Sequence, residues 1–145
     1  MSPEIDNVLD RIANQYSHKE AYRLSNLFML ACIEGKQDLF PAIVFDSIET
    51  AKRYWRDHST GSRSELREQR ITCWKQHDTA QKNSQIEPDI VLSFRIVLCA
   101  LYDESSSDGK HICDLLDLFI EFFEEKFPDS KDFLLEHLYS TFLQQ

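Results

Sequence analysis

Helix-start signals recur along this chain, and each is followed by apolar residues three or four apart. Ser2 precedes Pro3, Ser17 is followed three residues on by Glu20, Ser62 likewise by Glu65, and Pro88 opens a strongly apolar run. A serine at that position accepts a backbone N–H that the first turn leaves unpaired, and a glutamate three residues later can answer it. Proline is tolerated in the first turn because its missing N–H had no partner there. The apolar spacing is the period of a helix with one face against a core. Seven segments result: from Ser2, with Ile5, Val8, Leu9 and Ile12 inward; from Ser17 to Gly35; from Pro41 or Asp46 to about Asp57; from Ser62 to about Lys82; from Pro88; over about 109–127; and over about 130–143. The expected fold is all-α, a single-domain bundle or irregular array of about six to seven helices over residues 1–145.

Composition agrees with this reading. Three Gly and four Pro in 145 residues punctuate the chain too sparsely for many short strands, and 42% hydrophobic residues suffice for a packed core. Neither a repeat nor a strict heptad is present. The third helix is expected to turn Ile48, Ala51, Tyr54 and Trp55 inward. The fourth is polar except for Leu66, Ile71, Cys73, Trp74 and Ala80. The run after Pro88, with Ile90, Val91, Phe94, Val97 and Leu98, suggests a central helix. Phe122, Phe123, Phe127, Phe133 and Phe142, at helical spacing, read as core.

Cys32, Cys73, Cys99 and Cys113 are widely spaced and mostly lie in apolar stretches, so they read as buried free thiols of a reducing compartment. The first residues carry neither the positive charge nor the apolar run of a signal peptide, and no apolar run reaches the length of a membrane span. A cytoplasmic, soluble chain with no membrane association is expected.

Charge divides the chain. Residues 1–102 carry 13 Lys and Arg against 14 Asp and Glu, whereas residues 103–145 carry 3 against 11. The boundary falls in Asp103–Gly109, which contains Ser105, Ser106 and Ser107 and reads as a flexible loop. Beyond it, Asp114, Asp117, Glu121, Glu124 and Glu125 fall within about 100° of arc on a helix, and Ile112, Leu115, Leu116, Phe119, Phe122 and Phe123 cover the remainder. Such a stripe is either a solvated face or a surface for a basic partner. Like charges one turn apart cost a helix a few tenths of a kcal/mol per pair, and few Lys compensate them here. These five acids are the candidate partner-binding residues.

Between Lys52 and Lys75 the balance reverses: Lys52, Arg53, Arg56, Arg63, Arg67, Arg70 and Lys75 stand against Asp57, Glu65 and Glu68, with Trp55 and Trp74 interleaved. Cations and aromatics suit nucleic acid, but a net charge of −9 repels a polyanion, so no nucleic-acid partner is expected. An Arg contact surface, or a match to the acidic helices, is the preferred reading. His77-Asp78 is a dipeptide used by metal-dependent helical phosphohydrolases, with His58 and His111 as further ligands, and Cys73 with His77 shares a helix face. No C-x-x-C or second ligand pair completes a tetrahedral site around Cys73 and His77. Neither a Gly-rich phosphate loop nor a nucleophile elbow is present, and no cofactor, metal or catalytic residue is assigned.

The stretch Asp46-Ser47-Ile48-Glu49-Thr50-Ala51-Lys52-Arg53-Tyr54-Trp55 resembles the acid-led helix with a basic-aromatic end seen in some helical bacterial toxin-immunity proteins. It covers about ten residues and transfers no family site. The resemblance implies a non-enzymatic, one-to-one inhibitor whose acidic surface docks on a cognate basic toxin domain, often a nuclease with a positive cleft. The alternatives are a helical adaptor or regulator of another endogenous protein, with homo-oligomerisation open, and the metal phosphohydrolase.

Overall fold

The computed structural model describes residues 2–57, 62–83, 85, 87–104 and 111–143, the last stretch without the side chains of 111–114. Seven α-helices form the fold, with no strand among the described residues: α1 (Pro3–Gln15), α2 (His18–Gly35), α3 (Phe45–Arg56), α4 (Arg63–Lys82), α5 (Pro88–Leu98), α6 (His111–Lys126) and α7 (Lys131–Leu138). Short 3-10 turns at Gln37–Leu39 and Ala42–Val44 join α2 to α3, and a π-helical turn, Tyr139–Leu143, extends α7. The all-α fold and its seven helices stand as expected from the caps. Among the described residues no helix is long and apolar enough to cross a membrane.

The caps form as single bonds. The Ile5, Glu20 and Glu65 amides donate to the Ser2, Ser17 and Ser62 hydroxyls at 3.2, 3.3 and 3.1 Å. The reciprocal half at Ser17 is replaced, because the Glu20 carboxylate turns to Arg23 at 2.7 Å. α3 starts without a side-chain cap: the 3-10 turn delivers Val44 directly into it, and Asp46 lies in its first turn. There the carboxylate faces the positive end of the helix dipole.

α2 is a second central helix besides the expected α5. Tyr22, Leu24, Phe28, Met29, Leu30, Cys32 and Ile33 are buried around most of its circumference, and α3, α6, α7 and the π turn pack against it. Its buried polar side chains bond to the preceding turn, Ser25 Oγ donating to Ala21 O and Asn26 Nδ2 to Tyr22 O. α5 lies between α4 and α6. Gly35 lets α7 approach α2: a Cβ there would stand 2.9 Å from Phe133 Cζ. Phe133 stacks nearly parallel on Phe123, with centroids 5.7 Å apart.

Ile48, Ala51, Tyr54 and Trp55 of α3 are buried as expected, as are Leu66, Cys73 and Ala80 of α4. Ile71 and Trp74 are not core residues; both are exposed, because Leu66, Cys73, His77 and Ala80 define the face of α4 that packs inward. Phe123 and Phe142 are fully buried, whereas Phe122, Phe127 and Phe133 are half-buried at the core's edge.

Candidate functional site

α6 is amphipathic by sequence, and its packing on α2 and α5 decides which acids reach solvent. Leu116, Phe119, Ile120 and Phe123 are buried, which leaves Asp117, Glu121 and Glu125 exposed and Glu124 half-buried. The side chain of Asp114 lies outside the described residues. Among the described residues no ion pair is formed by Glu121, Glu124 or Glu125. Lys126, at the end of the same helix, points away from them: its amine pairs with Asp89 at the start of α5 and lies 5.5 Å from the Phe40 ring centroid.

The basic segment finds its partners elsewhere. Glu34 at the end of α2 binds Arg56 at 2.9 Å and Lys52 at 3.1 Å, and these hydrogen bonds hold its carboxyl below the usual carboxylate range. Lys52 also meets Glu49 at 3.0 Å, and Arg53 reaches Glu65 at 3.5 Å. The expected match to the acidic helices is thus made to acids of α2, α3 and α4, and among the described residues Glu121, Glu124 and Glu125 take no part in it.

The rest of that segment clamps residues 100–104, the strap that follows α5. Trp55 Nε1 donates to Ala100 O at 3.2 Å and Arg70 to Leu101 O at 3.0 Å. The Tyr22 hydroxyl reaches Tyr102 O and Asp103 O. Tyr54 donates to Glu104 at 2.9 Å, and Arg63 pairs with the same carboxylate at 3.0 Å. Burial pushes the Glu104 pKa up, but the bonds from Arg63 and Tyr54 and from its own backbone outweigh it and hold the group below the carboxylate range. The start of the expected Asp103–Gly109 loop is therefore fixed; residues 105–109 lie outside the described residues.

His77 is buried with both ring nitrogens engaged. Arg95 Nε donates to Nε2 at 3.1 Å, so the ring proton sits on Nδ1, which faces Asp78 Oδ1 at 3.0 Å. The expected second ligands, His58 and His111, fall among undescribed side chains. Among the described residues no three His, Cys, Asp or Glu side chains gather to hold a metal ion. Cys73 sits against Phe94 O rather than sharing a ligand position with His77. Cys32, Cys73 and Cys99 are buried free thiols, and burial pushes Cys73 and Cys99 up to about 12. Such thiols are poor nucleophiles. The Cys113 side chain lies outside the described residues.

Beside the acidic face lies a groove of about 390 Å³ between α4, α5 and α6, which no motif in the sequence announces. Its walls include Trp74 of α4, Arg95 and Leu98 of α5, and Leu115, Leu118 and Phe122 of α6. The available signal was Leu118, an apolar residue on the margin of the acidic arc, and the pair Ile71 and Trp74 one turn apart in a polar helix. The chain matches no known protein family, no curated protein and no solved structure.

Proposed function

We propose that this chain is a binding protein of the immunity type, which captures and neutralises a cognate basic toxin domain on the acidic face of α6. The observation that carries the reading is the contrast between two charged surfaces. The cations of residues 52–70 are largely engaged within the fold by Glu34, Glu49, Glu65, Glu104 and the 100–104 strap, whereas Glu121 and Glu125 face solvent and form no ion pair among the described residues. Unanswered charge on a rigid helix attracts and orients an oppositely charged protein. Against a nuclease-type toxin the carboxylates of Asp114, Asp117, Glu121, Glu124 and Glu125 would occupy the cations that otherwise hold phosphate. Buried free thiols support a reducing compartment, the cytoplasm, as the place of action.

The test is co-expression. If the chain is an immunity protein, a toxic domain is encoded directly beside it, cells expressing that domain alone stop growing, and this chain restores growth. The Glu121→Lys, Glu124→Lys, Glu125→Lys variant fails to restore it although it accumulates folded. A neighbouring product that is harmless, or rescue that survives the triple reversal, contradicts the reading. A harmless neighbour that nevertheless co-purifies would assign the face to an adaptor.

A further inference from the structure

The groove between α4, α5 and α6 opens to solvent, yet its walls are those of a protein interior. We infer that it receives one aromatic side chain of the basic protein drawn to α6, so that acidic face and groove are the rim and the anchor pocket of a single docking surface. This rests on reading α6 as the face that meets a basic protein. The volume, about 390 Å³, lies at the lower end of the range for small-ligand sites, enough for one large side chain. Trp74 of α4 and Leu118 of α6 both line it, and each is 41% exposed. Desolvated anchor pockets ringed by polar groups carry most of the binding energy of protein interfaces.

Charge fixes the kind of occupant. Leu118 adjoins Asp117 and lies one helical turn from Glu121 and two from Glu125, so cations flanking an inserted side chain come within reach of the acidic rim. The interior has the opposite preference. Arg95, held by His77, lines the groove with its guanidinium carbon 5.9 Å from the Phe122 ring centroid. A cation there repels an inserted Lys or Arg and attracts the face of an aromatic ring. The surface therefore selects a register: aromatic inside, basic residues outside.

The experiment titrates the full chain with three pentapeptides, acetylated and amidated: KKFKK, KKSKK and EEFEE. The indole signal of Trp74 is the reporter, and that of Trp55, buried and bonded to Ala100, is the internal reference. KKFKK is expected to move the Trp74 signal alone and to bind at least tenfold more tightly than either other peptide. Leu118→Gln, at an exposed position the fold tolerates, should reduce KKFKK to the affinity of KKSKK, and Glu121→Lys with Glu125→Lys should reduce it to that of EEFEE. Equal binding of KKFKK and KKSKK overturns the groove while leaving the acidic-face reading intact. Equal binding of KKFKK and EEFEE overturns the basic occupant and counts against the acidic-face reading itself. A dimer that Leu118→Gln dissolves would assign the groove to a second copy of this chain and overturn the proposal.

Discussion

The indole N–H of Trp74 donates to the Tyr102 hydroxyl at 3.0 Å, joining the exposed edge of α4 to the strap that follows α5. Arg70 stacks on the same Tyr102 ring, its guanidinium carbon 4.7 Å from the centroid. The basic-aromatic segment thus serves the fold by holding one strand of irregular backbone against the core, and so fixes one end of the groove.

Within that clamp Trp55 makes a buried bond, and its ring packs against Tyr22 and Tyr54. Trp55→Phe keeps the apolar body but leaves the Ala100 carbonyl unpaired. Loss of a buried partner costs about 1–3 kcal/mol, read as a lower urea midpoint. An unchanged midpoint would mean that the strap is held by its other contacts alone.

At the contact of α2 with α7, Gly35→Ala forces a methyl against the Phe133 ring, which its stack on Phe123 holds in place. Alanine would otherwise gain about 1 kcal/mol of helix propensity, so any measured loss understates the clash. We expect net destabilisation of about 1–2 kcal/mol in urea unfolding. Phe133→Leu in the same chain should recover most of it.

The Lys126 side chain is 3% exposed and pairs with that of Asp89, which is 55% exposed. Asp89→Ala leaves a buried amine beside the Phe40 and Phe127 rings with no other ion-pair partner among the described residues. Because Asp89 is solvent-screened, the expected loss is about 1–2 kcal/mol, below that of a fully buried pair. Lys126→Met together with Asp89→Ala should lie nearer to wild type than Asp89→Ala alone in thermal unfolding.

His137 lies half-buried against Phe133, with centroids 4.4 Å apart, and burial lowers its pKa more than the neighbouring Glu136 charge raises it. A base whose folded pKa is depressed binds fewer protons folded than unfolded. Its contribution is complete above the unfolded value of about 6.5 and is lost as the pH falls toward the folded value. Urea midpoints should decline on lowering the pH from neutrality through 6, and His137→Gln should flatten that decline.

Much of the fold was legible because helix starts are local. Ser2, Ser17 and Ser62 accept from amides three residues on and Pro88 fixes only its own backbone angle, so no tertiary contact is needed to place them. The centrality of α2 was not legible: Ser25 and Asn26 interrupt its apolar run, and only their bonds to the preceding turn, which satisfy the Ser25 hydroxyl and the Asn26 amide donor, show how they are buried. The acidic stripe could be read from spacing alone. The groove could not, because whether Trp74 and Leu118 face the core or solvent depends on how α4 and α6 seat on α5, and the choice of Glu34 as partner of Arg56 depends on how α2 meets α3.

If the acidic face of α6 meets a basic protein, their association rate carries the signature of that charge. Stopped-flow mixing of the chain with the toxin domain encoded beside it, at low and at physiological salt, should show a rate constant that falls steeply as salt rises. Glu121→Lys, Glu124→Lys, Glu125→Lys should lower the low-salt rate about tenfold or more and flatten its salt dependence. A rate and salt slope unchanged by the three reversals would contradict that docking.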